Sequence, residues 1–514
     1  LPQRLDRSRT LLVLGVVAAA GLLVAHALAR LDYTVDDAFI SFRYGRNLAE
    51  GLGLVFNPGE RVEGYSNLAW TLLFAGLYRL GGDPVLSIKL AGVALGALSL
   101  PLAVALARDA ARSTAAALFT GFLLAGNVFL AVWLGAGLET PLFSFELLAM
   151  VVCATRRRRA AYGATAALCC LTRPDGVAMA GLVAAERLFS RRRLELWWAW
   201  PPLAAVAQLL FRLSYYGDWV PNTARVKLGG GLPELLQGVG WIFHLFLDWS
   251  LGLGLVAVPL ATWWLWRNES VRLCLVLVAG YLAFLVSSGG DFFAYYRLAV
   301  PILPLLTVLV VAAGTEAGRR AVRHGHPPRA VWAALAVLAL AGLVLLPLWT
   351  TQRDRARVGR ETRMLHHFSK PAARWLAAHS PPGSTIALTV AGAIPYYSGL
   401  RTIDRFGLCD AEIARAQVPW QDVRSGISKY DPDSVLRREP DWILLDVNEA
   451  RLRATPPQRL ERRMHAADRA LLARPRFRRE YRLVDRWIGR PRDRLALYLR
   501  RGSPAEDPAL FGEP

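Results

Sequence analysis

Two adjacent carboxylates, Asp36 and Asp37, precede two arginines, Arg43 and Arg46, in a polar stretch, 34–70, that separates apolar ones. A carboxylate can take the proton from an acceptor hydroxyl, and a cation can stabilise a phosphate that departs from a sugar. Transfer of a sugar from a lipid phosphate needs both. Asp36 or Asp37 is therefore the candidate catalytic carboxylate. Paired carboxylates also suit Mg2+ or Mn2+; no motif requires a cofactor, and if a divalent cation binds, Asp36 and Asp37 are its candidate ligands. There is no P-loop, no GxGxxG after a strand and no HExxH, so nucleotide- or zinc-driven chemistry has no support.

The elements that must hold these groups are short. In 38–50, Phe39, Phe42 and Leu48 fall on one side of a helix that Gly51 can end in the left-handed conformation. The expectation is an interfacial helix with its apolar face against lipid and its polar face towards a cavity. Asp36 and Arg43 share a face. Asn57-Pro58-Gly59 reads as a type II turn that returns the chain towards Asn67 and Trp70. A simpler role competes: Thr34 is a plausible N-cap with Asp37 in a capping-box position, so that Asp37 caps while Asp36 acts.

The chain of 514 residues is 54% hydrophobic, with 17 Trp, and its mean hydropathy is +0.29. Apolar stretches recur up to residue 350, each near the roughly 20 residues a helix needs to cross hydrocarbon. We expect an α-helical polytopic membrane protein, 1–350, with about ten or eleven transmembrane helices, followed by a C-terminal α/β domain, 351–514. The net charge of +21 lies largely in short arginine clusters between apolar stretches. Those are topology signals, and anionic lipid or an anionic substrate fits the basic C-terminal part better than nucleic acid. The stretch 11–29 reads as a retained first span rather than a cleaved signal.

Basic residues before Leu11 put the N-terminus inside and the loop 32–66 outside; Arg156–Arg159 and Arg191–Arg193 return the chain to the cytoplasm. An odd number of crossings must connect them. Of the apolar stretches 66–80, 85–107, 114–132 and 139–154, the first is the choice for a segment that does not cross. Residues 160–186 are too few for two full spans, so two short helices should meet near Leu171-Thr172-Arg173-Pro174-Asp175-Gly176. A charge at that depth makes Arg173 a functional candidate, although Arg173 and Asp175 can also satisfy each other as a structural break. Spans at 197–214, 249–266, 273–287, 298–316 and 330–349 then leave the C-terminal domain outside. There, 386–390 and 442–447 read as strands, 482–487 and 495–499 as edge strands, and 361–379, 411–417 and 457–474 as helices.

With this topology Asp36, Asp37, Glu139, Arg173, Asp218, Asn222, Asp291 and Arg297 all fall towards the outer side, which argues for one site there. Each has a plainer reading: Glu139 at a helix N-terminus, Asp291 capping a turn after Gly289-Gly290, Asn222 as a turn residue after Pro221.

The strings DDAFISFRYGRNLAEGLGLVFNPGERVEGYSN, GLETPLF, LTRPDG, YYGDWVPNT, GGDFF and AGAIPYYSGLRTIDRFGLCDAEIAR, in this order, resemble the GT-C glycosyltransferases related to the terminal arabinofuranosyltransferase of bacterial cell-wall arabinan. The resemblance implies a plasma-membrane enzyme that moves a sugar, arabinofuranose, from a polyprenyl-phosphate donor to an envelope glycan acceptor on the extracytoplasmic face. It implies a catalytic carboxylate in the first outer loop, at Asp36 or Asp37. Arg173 would hold the donor phosphate, with Arg43 a second candidate, and Glu139 and Asp291 would line the cavity. The competing class is a transporter or flippase for a lipid-linked saccharide, which calls for charges through the bilayer and paired repeats.

Overall fold

The computed structural model describes residues 2–191, 195–227, 231–250, 252–323, 352–417, 429–454, 464–485, 487–490 and 494–511. The chain starts with α1 (Pro2–Leu28), turns, and enters α2 (Ala38–Ala49) and α3 (Leu68–Arg79). At 12 residues, α3 rises about 18 Å, too short for a bilayer. This agrees with the reading of 66–80. The long α4 (Pro84–Ala111) follows, started by Asp83, whose carboxylate accepts from the backbone N–H groups of Val85 and Leu86.

The stretch read as a single span at 114–132 is two helices, α5 (Thr114–Gly126) and α6 (Val128–Leu134), bent by 61° at Asn127. The cause is local: the Asn127 side chain accepts from the Leu130 N–H and starts a new helix while its own backbone is extended. Then come α7 (Thr140–Thr155), α8 (Arg159–Thr172) and α9 (Asp175–Arg191), the last two meeting at an extended Arg173. The break lies where LTRPDG indicated. Next is α10 (Trp200–Tyr216), at the expected span 197–214, then α11 (Asn222–Lys227) and α12 (Gly231–Ser250), two helices the apolar pattern alone had not revealed. Instead of one span at 249–266, α12 joins α13 (Leu253–Leu265) through a 95° bend. α14 (Glu269–Ser287), a 3-10 stretch Ala294–Ile302 and α15 (Leu303–Arg323) complete the array.

Among the described residues, four helices are long and apolar enough to cross by themselves, six crossings if each bent pair counts as one. The expected span 330–349 lies outside the described residues.

The C-terminal part opens with α16 (Gln352–Met364), a π-helical turn Leu365–Ser369 and α17 (Lys370–His379). Its sheet runs β2 (Arg401–Asp404), β1 (Thr385–Leu388), β3 (Trp442–Asn448), β5 (Leu495–Arg500), β4 (Tyr481–Leu483). The pairs β1–β2 and β1–β3 are parallel, and β5 is antiparallel to both its neighbours. The period of two splits the sheet's side chains between two cores. Ala387, Ile443, Leu445 and Ala496 pack with Ile413, Val435 and Leu471. On the other face Ile386, Leu388, Trp442, Leu444 and Leu497 pack with Ile40, Tyr44, Leu54, Phe56 and Tyr65. The first loop and the α/β domain therefore share one apolar core.

That core overturns one expectation. α2 is buried along most of its length, from Ala38 to Gly45, between α3 and α18 (Ala393–Ser398), rather than resting an apolar face on lipid.

Candidate active site

The segment before α2 is fastened from several sides. The Val35 N–H donates to the Ala136 carbonyl at 3.1 Å. Tyr33 is edge-on to Trp133, ring centroids 6.0 Å apart, and its hydroxyl donates to Glu361 at 2.9 Å. Gly137, at φ +94°, lets the two loops close: a Cβ there would lie 3.1–3.3 Å from Ala38, Phe42 and Thr34. Thr34 is not the helix cap. Its hydroxyl accepts from Lys89 Nζ at 2.7 Å, and Lys89 also donates to the Leu31 carbonyl. Asp37 takes the N-cap position without a side-chain capping bond.

Asp36 points at the α/β domain. Its Oδ1 accepts the backbone N–H of Ala393 at 2.9 Å. A Cβ on Gly392 would overlap the carbonyl and carboxylate oxygens of Asp36, so only glycine permits this approach. Burial raises Asp36 to about 7, against the lowering effect of the 392–393 N–H groups, and the neighbouring Asp37 charge raises it further. A carboxylate of that basicity is suited to take a proton near neutrality.

Arg43 has a different set of partners from the phosphate expected for it. Fully buried over the Phe56 ring, it donates to the carbonyls of Phe56 and Pro395, both at 2.7 Å, to Leu400 O at 2.8 Å and to Asn57 Oδ1 at 3.2 Å. Its fork joins α2 to the α/β domain. Asn57 adds to the joint, exchanging bonds with the backbone of Thr402 at 2.8 and 3.0 Å, and Gly59, at φ +84°, sits in the turn expected there.

From α2 a chain of polar contacts leads inward. Ser41 donates to Asn67 Oδ1 at 2.9 Å, Asn67 Nδ2 donates to Glu139 at 2.7 Å, and Glu139 pairs with Arg173 Nη1 at 3.2 Å. Arg173 Nε lies 2.9 Å from Asp175. So the Arg173–Asp175 pair exists, but it is one part of a larger network. Arg173 Nη2 has no acceptor among the described residues. On α7 and α14, Thr140 Oγ1, Ser144 Oγ, Glu146 Oε2 and the Tyr281 hydroxyl are buried polar atoms without partners among the described residues. Buried polar groups are ordinarily paired, which marks this region as one that takes a polar guest or water.

The remaining candidates divide. Asp291 pairs with Arg297 at 3.0 Å and also accepts the Phe293 N–H at 3.2 Å, so its turn-capping reading holds beside the ion pair. Asn222 and Asp218 are joints to the α/β domain. Asn222 Nδ2 donates to the carbonyls of Gly407 at 2.6 Å and Leu408 at 3.0 Å, while Asp218 pairs with Arg225 and lies 3.6 Å from Arg415. Reading the sequence alone missed Lys89, Asn67, Tyr281 and Glu361. Lys89 had a signal, being a lone ammonium inside the apolar run 85–107; the others had none.

For a divalent cation the donors brought together are Asp36 and Asp37, and among the described residues no third His, Cys, Asp or Glu joins them in a cluster. With Asp36 Oδ1 already accepting the Ala393 N–H, a divalent cation held by this pair would take its remaining ligands from water or substrate oxygens.

A helical membrane array whose first loop is roofed by a C-terminal α/β domain is the GT-C fold. The chain superposes on ArnT from Cupriavidus metallidurans, a structure bound to undecaprenyl phosphate, with TM-score 0.59 and 15% identity over 96% of this chain and 99% of that one. It superposes on the archaeal oligosaccharyltransferase AglB from Archaeoglobus fulgidus, in complex with an inhibitory peptide and a dolichol-phosphate, with TM-score 0.53 and 11% identity over 85% and 69% of the two chains. In sequence it is 33% identical over 276 residues to the terminal beta-(1->2)-arabinofuranosyltransferase of Mycobacterium tuberculosis, a match over 48% of this chain and 43% of that protein. The chain thus matches less than half the length of that relative. Residues 356–503 match a family model described as a domain of unknown function, DUF8728.

Proposed function

We propose that the protein is a membrane glycosyltransferase that transfers a sugar from a polyprenyl-phosphate donor to a glycan acceptor. The observation that carries this reading is the polar chain Ser41–Asn67–Glu139–Arg173, which links the helix that begins beside Asp36 to an arginine whose Nη2 has no acceptor among the described residues. Asp36 or Asp37 accepts the proton of the acceptor hydroxyl as its oxygen attacks the anomeric carbon. The bond from that carbon to the phosphate oxygen breaks, the electron pair leaves with the polyprenyl phosphate, and the Arg173 guanidinium stabilises the departing charge. Lys89, held against Thr34, is the second cation close enough to the loop to share that charge. Arg43 is assigned to holding the domains together.

Support for a lipid-phosphate donor comes from the fold shared with proteins solved with undecaprenyl phosphate and dolichol-phosphate. Support for arabinofuranose as the sugar comes from the sequence relative. The arginine clusters favour an orientation with Asp36 and the α/β domain on the extracytoplasmic side, and the plasma membrane follows from the resemblance to the cell-wall glycosyltransferases.

The test is transfer of labelled sugar from polyprenyl-phosphate donors to an oligosaccharide by the purified protein, with Asp36→Asn and Asp37→Asn alongside. Wild-type turnover lost in one folded variant is the expected result and selects the base. Absence of turnover from pentose and hexose donors, with donor translocated across vesicles, would replace this reading with a transporter.

A further inference from the structure

A cavity of about 470 Å3 opens between α12, the turn 289–297 and the start of α16. Its volume falls in the range of small-ligand sites, roughly 300–1,000 Å3. We propose that it binds an uncharged saccharide, the acceptor end of a glycan; this rests on the glycosyltransferase reading above.

The walls are aromatic and carboxylate in alternation. Trp241 and Tyr296 line it with their rings edge-to-face, centroids 5.0 Å apart, and Trp241 Nε1 donates to the Asp291 carbonyl at 2.8 Å. The Tyr296 hydroxyl donates to Asp248, and Phe129 stacks on the Tyr296 ring at 5.5 Å. Tyr295 and Tyr296 have φ of 55° and 49°, a left-handed pair that side chains seldom adopt, and the Tyr295 N–H is held by Asp354 at 2.8 Å. The aromatic wall is thus locked in place before any ligand arrives.

The polar groups select the guest. Asp248 and Asp354 each keep one carboxylate oxygen, Oδ1, without a donor among the described residues, and both residues line the cavity. Hydroxyl groups donate to such oxygens in charge-assisted bonds, and the carboxylates Asp248, Asp291 and Asp354 outnumber the exposed Arg353 in the lining, which disfavours a phosphate. The C–H faces of a sugar ring match the aromatic surfaces. Position favours the acceptor over the lipid donor. His244 and Arg353, which also line the cavity, are exposed, so the cavity is open, and a guanidinium at its mouth fits the headgroup or aqueous layer better than hydrocarbon. On the inner side Phe293 meets Trp133 edge-on at 5.9 Å, and Trp133 meets Tyr33, three residues from Asp36. Packed aromatic side chains thus join the cavity wall to the segment that carries Asp36.

The experiment uses the full chain in lipid nanodiscs, with an uncharged arabinofuranosyl hexasaccharide as probe. Binding is measured by calorimetry, and the same compound serves as acceptor in steady-state kinetics. Two variants are compared with wild type: His244→Trp, which fills the cavity from an exposed position, and Asp354→Asn. The expected result is binding weakened at least tenfold in both, with acceptor KM raised by the same factor and donor KM unchanged within twofold. Unaltered hexasaccharide affinity in both variants, or no binding by wild type, overturns the proposal. Transfer with an unchanged acceptor KM overturns it while leaving the glycosyltransferase standing. Binding that the variants weaken, in a protein that transfers no sugar, leaves the cavity standing and removes the enzyme.

Discussion

The backbone N–H of Ala393 reaches Asp36 Oδ1 across 2.9 Å, so a carboxylate in the first loop is positioned by a residue 357 places later in the chain. The α/β domain is thereby part of the site's construction. Gly392→Ala tests this directly. The added methyl group would overlap Asp36, forcing the 391–393 turn away, and overpacking of this kind costs about 1–3 kcal/mol. We expect a fall in kcat of at least tenfold, with the KM for donor changed little; turnover equal to wild type in the folded variant would remove the role given to this contact.

Asp36 sets a pH dependence. With its value raised to about 7, a base at this position gains activity as pH rises through 7, and kcat/KM for the acceptor should climb with unit slope below that point. Stability runs the other way. Between 3.8, the ordinary value, and about 7 the folded protein binds more protons here than the unfolded chain, so this group's contribution falls as pH rises across that window. Asp404, fully buried and also raised to about 7, acts in the same direction. The difference in apparent Tm between Asp36→Asn and wild type, measured from pH 4 to 7.5, isolates the Asp36 share and should grow in favour of the variant.

Arg43 should matter for folding more than for donor affinity. Arg43→Ala removes three hydrogen bonds to buried carbonyls, each of which keeps a second donor (Asn47 at Phe56, the Gly399 N–H at Pro395, Thr402 at Leu400), so the cost is about 1 kcal/mol per lost bond. Arg43→Lys should rescue little, since one ammonium cannot span acceptors on two sides of the joint. Limited proteolysis of the α/β domain, read against thermal unfolding, should show both variants opened; a stable Arg43→Ala protein with only a raised donor KM would return this arginine to the phosphate.

Arg173→Lys keeps the charge but not the fork that holds Glu139 and Asp175 while leaving Nη2 available. Turnover should drop about ten- to a hundredfold, and inhibition by added undecaprenyl phosphate should weaken in parallel. Glu139→Gln should follow the same trend more mildly, because Asn67 retains an acceptor. Unchanged inhibition in Arg173→Lys would argue against contact with the phosphate.

The sequence by itself determined the membrane class, the break at Arg173, the short segment 68–79, the turn at Gly59, and strands β1 and β3; β5 was legible as a strand, but it lies between β3 and β4 and not at the expected edge. These follow from local rules: apolar length, Pro and Gly chemistry, and alternation within one strand. It also brought out Asp36 and Asp37, since two carboxylates between apolar runs stand out by composition. Only the tertiary structure decided what each polar residue does. Arg43 and Arg173 look alike along the chain, yet one is enclosed by four acceptors and the other, among the described residues, has acceptors on Nε and Nη1 only. Likewise α2 reads as an interfacial helix until the sheet's second face is known to cover it. Partners up to 357 residues apart leave no periodic trace, so burial and pairing, which fix both charge state and role, emerge only when the domains close on one another.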